Sequence, residues 1–293
     1  MRLLACPKPH LLKFEWFTVR SHYCLVFLLA GVLGAAQPAG SLFPDTTLEA
    51  VVRSHVFAKR DNKEPLAEAD VKTLSSISGK GKAVRSLAGL EKCSALALLE
   101  LTGGEIADLS PIKDLTNIQS LTLAHNKIKD ISALAGLTNL QYLDLTGNEV
   151  SDLRPLANLK SLNSLYLSSN KIADLSPLAG LERVWSLYLD GNLVTDLKPV
   201  AGMKWLSSLD LKNNKVADLS PLSPLTSLHY LFLDGNPVQS LAPLVAMGKK
   251  DTEAEKRFAP FWTVSLSEKQ LGGGKRAEMA ELKKYSHTVL LNK

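Results

Sequence analysis

The sequence predicts an α/β solenoid: a curved stack of short parallel strands on the concave side, with 3₁₀ turns and loops behind them. Three observations predict it. A 22-residue pattern repeats seven times in register between Leu96 and Met247. Asparagines recur at that period, at Asn126, Asn148, Asn170, Asn192, Asn214 and Asn236, with Gly104 one period earlier. An apolar comb precedes each one, as Leu140, Leu143 and Leu145 precede Asn148. One unit of this length cannot bury its own apolar face, so units must stack on their neighbours.

The elements of a unit follow in chain order. Leu143 and Leu145 alternate with Tyr142 and Asp144, the two-residue period of a strand with one buried face. Asn148 falls where the chain leaves the strand, and its amide can both donate and accept in a buried turn. Stacked copies would form an internal ladder. Asp152 and its equivalents Asp108, Asp130, Asp174, Asp196 and Asp218 are placed to cap the turn that follows. Pro155, with Pro111, Pro177, Pro199, Pro221 and Pro243, suits a tight 3₁₀ or extended return, and only Ala133 breaks that column.

The pattern Leu-x-x-Leu-x-Leu-x-x-Asn-x-Ile/Val-x-Asp-Leu-x-Pro-Leu resembles the 22-residue leucine-rich repeat of bacterial internalin-type proteins. It is also similar to the repeat of a eukaryotic phosphatase-regulating subunit. Phe43, Pro44, Asp45 and Leu48–Val52, then Leu66–Ser78, resemble the helical N-terminal cap of the bacterial members, and Ile77–Leu90 resembles their lead-in repeat. The resemblance implies a leucine-rich-repeat arc with a helical cap at residues 37–95, repeats at 96–247 and a mixed cap at 248–293. It speaks strongly for fold and weakly for function, because solenoids of one shape bind unrelated things.

Leu25–Ala36 is an apolar and small-residue run preceded by Arg20. It has the length of a signal-peptide core and falls short of the ~20 residues of a spanning helix. Residues 1–36 are therefore read as a signal peptide cleaved after Ala36, with an uncleaved anchor as the alternative. The expected location is secreted or periplasmic, with no stable membrane insertion after cleavage.

Charge and cysteine content narrow the class. The chain carries 34 basic and 29 acidic residues, net +5. Without residues 1–36 the balance is 30 to 28, or +2, which excludes the electrostatic signature of a nucleic-acid binder. The repeats are net −4 and the segment from Gly248 onward +4. Cys93 alone survives cleavage, so it reads as a small buried apolar residue. After Met247 the period stops. Lys249–Phe258 reads as a short helix with Thr252 and Glu255 in capping-box spacing, Phe261–Leu266 as a strand, Arg276–Tyr285 as a helix and Thr288–Leu291 as an edge strand. A solenoid must close its open apolar end, which is the role expected of this tail.

Function is expected on the concave face. Residues flanking the inward leucines point outward there, and they place Tyr142, Tyr166, Tyr188, Tyr230 and Phe232 on one surface with Trp185 beside them. Asp144, Asp190, Asp210 and Asp234 would form an acidic rim. Exposed aromatics on a rigid sheet are typical of recognition surfaces. No catalytic constellation, cofactor motif or metal-ligand spacing is evident. The four histidines beyond the leader are scattered, and each recurring Asp lies alone in its turn, without the several oxygens calcium takes. The expected function is non-catalytic binding of a protein partner. A carbohydrate or cell-envelope polymer is the alternative ligand, and an intracellular phosphatase-regulator-like scaffold is an alternative of another class.

Overall fold

Alternation of leucine with polar or aromatic residues produces one three-residue strand per repeat. The computed structural model describes residues 41–254 and 256–292, so the expected leader and its cleavage point lie outside the described residues. Ten strands form one parallel sheet in sequence order. β1 (Ser76–Ser78) belongs to the lead-in. The repeats supply β2 (Leu98–Glu100), β3 (Ser120–Thr122), β4 (Tyr142–Asp144), β5 (Ser164–Tyr166), β6 (Ser186–Tyr188), β7 (Ser208–Asp210) and β8 (Tyr230–Phe232). The C-terminal segment adds β9 (Thr263–Ser267) and β10 (Thr288–Asn292). Pairing keeps the 22-residue register throughout the repeats, with Leu143 beside Leu165 and Leu165 beside Leu187.

The comb leucines build one continuous core. Leu99, Leu121, Leu143, Leu165, Leu187, Leu209 and Leu231 are fully buried, and Val264 of β9 continues their column. The second comb position, from Leu101 to Leu233, is buried in the same way. Behind the sheet, 3₁₀ turns such as Ser110–Ile112 and Arg154–Leu156 return the chain, with proline in the first turn as its fixed φ favours. Ser132–Leu134 makes the same turn with Ala133 in the proline slot. In each, the aspartate two residues ahead accepts the backbone N–H: Asp108 from Ser110, Asp130 from Ser132 and Asp174 from Ser176, each at 2.8 Å.

The asparagines form the expected ladder. Asn170 Nδ2 donates to the carbonyls of Leu145 (2.9 Å) in the preceding repeat and Leu167 (3.0 Å) in its own, while Oδ1 accepts the Val150 N–H at 2.9 Å. Asn126, Asn148, Asn192, Asn214 and Asn236 repeat these bonds. At Gly104 the lead-in backbone occupies the space: a Cβ there would overlap the Val84 carbonyl, and the Val84 N–H, which an asparagine would accept, donates to the Lys82 carbonyl instead. The far end is closed by Gln270, whose Nε2 donates to the Leu233 and Asn236 carbonyls, both at 2.8 Å.

A second column has an alternating rule. Positions 103, 125, 147, 169, 191, 213 and 235 all take a left-handed backbone, with glycine at every other one and His125, Ser169 and Asn213 between. The side chain of each non-glycine residue leans over the next repeat. A Cβ on Gly147 would overlap His125 Nδ1, and one on Gly235 would come within 2.5 Å of Asn213 Oδ1.

The caps differ in detail from the sequence reading. Helix α1 (Thr46–His55) is capped by Asp45, which accepts the Thr47 and Leu48 N–H groups and ties the helix to the Arg85 and Ser86 N–H groups of the lead-in. Leu66–Ser78 is not one helical segment: α2 spans only Glu68–Val71, and Ser76–Ser78 is already a strand. Its alternation around buried Ile77 outweighs helix propensity, because β2 offers a partner edge. Beyond the repeats, α3 runs Ala242–Glu253, so it begins seven residues before the expected start, with Pro243 in its first turn. Thr252 lies near its end and its hydroxyl donates to the Gly248 carbonyl, so it does not cap the start; Glu255 lies outside the described residues. The helix start is held from α4 (Lys275–Leu282), whose Glu278 accepts from the Leu241 N–H and the Ser240 hydroxyl. Buried Asp251 accepts the Arg257, Phe258 and Ala259 N–H groups and turns the chain toward Trp262, which packs edge-on against Phe258. Cys93 is fully buried, and burial pushes its thiol up to about 12.

Two stability experiments follow. Leu167→Ala should cost roughly 2–5 kcal/mol through lost burial and a cavity, and Asn170→Ala about 1–3 kcal/mol through orphaned backbone groups. Thermal melts indistinguishable from the parent would overturn the ladder as a source of stability. The left-handed column gives a graded pair. Gly103→Ala should cost about 1–2 kcal/mol for its backbone alone, since a Cβ there meets nothing within 4 Å. Gly147→Ala should cost more, because His125 must also move, and His125→Gly in the same chain should recover the difference.

Candidate functional site

The concave face is set by register, because every residue flanking an inward leucine must point out of the sheet. Tyr166 and Tyr188 are lateral neighbours on β5 and β6, and their rings stack at 4.7 Å and 9°. Tyr142 on β4 leans across to Tyr166 at 5.3 Å, tilted by 36°. The three form a continuous ridge of phenol rings. All three are half-buried, since each ring covers part of its neighbour. Burial, with the charge of Asp144 and the neighbouring ring of Tyr166, pushes the Tyr142 hydroxyl up to about 12, and burial beside Tyr188 raises Tyr166 as well. Tyr142 and Tyr166 therefore present neutral hydroxyls that both donate and accept.

The aromatic surface does not run unbroken from Tyr188 to Phe232. Asp210 stands between Tyr188 and Phe232 in the central column. It is no rim residue, being only 5% exposed. Its Oδ1 accepts the Lys212 N–H at 3.0 Å and its Oδ2 meets Lys212 Nζ at 3.0 Å. Burial pushes this carboxyl up, against those hydrogen bonds. Burial opposes the Lys212 ammonium too, yet Asp210, Asp190 and Asp234 hold its pKa above the usual value. Lys212 also sits 5.3 Å from the Phe232 ring centre, where the ring quadrupole attracts it.

The other carboxylates divide by role. Asp144 accepts the Thr146 N–H and turns its own strand end. Asp190 accepts from Asn213 Nδ2 one repeat on. Asp234, expected in the rim, is pinned to the C-terminal cap: Oδ2 accepts from the Ser265 hydroxyl at 2.6 Å and Oδ1 from Asn292 Nδ2 at 2.7 Å. Tyr230 is 47% exposed and lies one column aside from Phe232.

Trp185 lies just before β6 at the flank of the face, 54% exposed, with Nε1 donating to Ser164 Oγ at 2.8 Å. Sequence reasoning missed Trp205, which is 69% exposed and lines a groove with Trp185, Arg183 and Asn163. A signal for it existed. Trp205 occupies a slot held by Asn117, Asn139, Ser161, Arg183 and Ser227 in other repeats, where an apolar ring has no core to fill.

Comparison with known proteins agrees with this geometry. A family model described as leucine-rich repeats (2 copies) matches residues 116–158, 138–180 and 204–246. The chain is similar to internalin C2 of Listeria monocytogenes, with 35% identity, 70% of this chain and 91% of that chain covered, and a TM-score of 0.66. The chain belongs to the internalin-type leucine-rich-repeat proteins. A leucine-rich-repeat protein of Leptospira interrogans is similar at 26% identity and a TM-score of 0.58, over 70% of this chain and 53% of that one. A plant peptide hormone receptor, solved in complex with RGF2, shares the fold alone, at 22% identity and a TM-score of 0.53 over 61% of this chain and 29% of that chain. Comparison with curated proteins finds no match. The fold is consistent with a protein-binding module, since stacking repeats yields an extended concave surface. No described helix is long and apolar enough to cross a membrane.

Proposed function

We propose that this internalin-type chain is an exported, non-catalytic binding module that recognises a protein partner on its concave face. One observation carries the reading. Tyr142, Tyr166 and Tyr188 stack into a ridge on the side of the sheet opposite the leucine core. Folding does not need them there, because the core columns close without them. Aromatic side chains of this kind bring contact area at little entropic cost, and tyrosine is enriched among interface anchors. Tyr230 and Phe232 extend the surface beyond the Asp210–Lys212 pair, with Asp144 and Asp190 at its margins and Trp185 on its flank. Asp234 contributes by holding the C-terminal cap against the last repeat. Export to the periplasm or medium rests on the apolar run Leu25–Ala36.

Two experiments test the reading. N-terminal sequencing of protein recovered from the periplasm or medium should find a terminus near Gln37, and an intact Met1 on soluble cytosolic protein would overturn export. The double variant Tyr166→Ala with Tyr188→Ala should lose only the stacking energy of the pair, about 0.5–1.5 kcal/mol, and remain folded. It should weaken the partner captured by photo-crosslinking at Tyr142 by about 2 kcal/mol or more, roughly thirtyfold. Unchanged affinity would place recognition elsewhere.

A further inference from the structure

The flank of the arc carries a second surface unlike the tyrosine ridge. Gln141, Ser161, Asn163, Arg183, Trp185, Trp205 and Ser207 line an open groove of about 480 Å³. That volume falls within the ~300–1,000 Å³ of small-ligand sites. The two indoles are the most exposed tryptophans described, and neither takes part in the ring stack of the concave face. Trp185 is held in place: its Nε1 donates to the buried Ser164 hydroxyl, which donates in turn to Asn163 Oδ1 at 3.0 Å. A ring fixed in this way loses little rotamer freedom on binding.

The polar lining is specific in kind. It offers two amides, two hydroxyls and one guanidinium, and no carboxylate. Among the described residues Arg183 has no ion-pair partner, unlike Arg53, Arg85 and Arg154. A buried protein anchor would favour a desolvated apolar pocket ringed by contacts that exclude water. This groove is open and lined by amides and hydroxyls. Saccharides have the matching chemistry, with apolar C–H faces that lie on indoles and hydroxyl edges that pair with amides. An unpaired guanidinium adds a site for a carboxylate, which it can hold through two parallel N–H bonds.

We propose that the Trp185–Arg183–Trp205 groove is a binding subsite for an anionic oligosaccharide, separate from the tyrosine ridge. The assignment does not depend on the concave face binding a protein. Tryptophan emission and calorimetry would test it on the whole chain with three probes: a hyaluronan hexasaccharide, the uncharged chitohexaose, and a hexaglutamate peptide. The hyaluronan hexasaccharide should bind at least ~10-fold more tightly than either of the others, as a free guanidinium paired with carboxylate on an aromatic platform requires both features. Trp205→Ala should weaken it at least ~10-fold, and Arg183→Gln should lower it to the level of chitohexaose, about one decade being the 1.4 kcal/mol of a charge-assisted contact. Both side chains are exposed, so the variants should melt with the parent, and Tyr166→Ala with Tyr188→Ala should bind the sugar normally. Failure of the hyaluronan hexasaccharide to bind, equal binding of hexaglutamate, or normal sugar binding by Trp205→Ala would each overturn the proposal.

Discussion

The asparagine ladder is the constraint on which this structure depends. Each strand of the repeats is only three residues long, too short to satisfy the turn that follows by sheet hydrogen bonds alone. The turn is buried, and orphaned backbone groups there would cost about 1–3 kcal/mol each. One amide per repeat solves this by bonding a carbonyl of its own turn, and a carbonyl and an N–H of the previous repeat. Because the bonds cross between repeats, the ladder also fixes the stacking distance and register. The leucine columns can then close without gaps, and side chains on the sheet face acquire fixed lateral neighbours.

Termination follows from the same constraint. A ladder has two open ends, and each is closed by a different device. At the first repeat the lead-in backbone takes the place of a side chain, which is why Gly104 occupies the asparagine slot. At the last, Gln270 reaches back from the cap to the Leu233 carbonyl, which the asparagine of a further repeat would have used, and to the Asn236 carbonyl beside it. The sheet continues through β9 and β10, and Asp234 joins both strands to the last repeat through Ser265 and Asn292. The left-handed column shows the same economy of space, since His125 and Asn213 each occupy the room a side chain would need at the glycine of the next repeat.

A rigid face ordered by register separates two kinds of aromatic. The tyrosines of β4 to β6 meet one another and become a half-buried ridge. The tryptophans of the flank meet no ring and remain open. Between Tyr188 and Phe232 the buried Asp210, paired with half-exposed Lys212, interrupts the surface and divides it into two aromatic groups. Of the acidic rim inferred from spacing, Asp210 is buried and Asp234 is held by the C-terminal cap, while Asp144 and Asp190 stay at the margins of the surface.

Repetition made much of this legible in the sequence. Seven copies of one pattern determine the solenoid, the strand register, the inward leucines, the asparagine ladder and the aspartate caps, because each follows from short-range geometry repeated at a fixed period. The same register predicted that Tyr166 and Tyr188 would be neighbours. The segments without a period were legible only in outline: the strand at Ser76–Ser78 and the early start of α3 depend on an edge and a core that exist only once the repeats have stacked. Tertiary structure alone decided which outward residues are free. Asp210 is buried because Lys212 folds onto it, Asp234 is occupied because the cap arrives from distant sequence, and Trp205 is open because nothing packs over the flank. Periodicity fixes which way a side chain points, whereas its burial and its partners come from whatever the rest of the chain brings beside it.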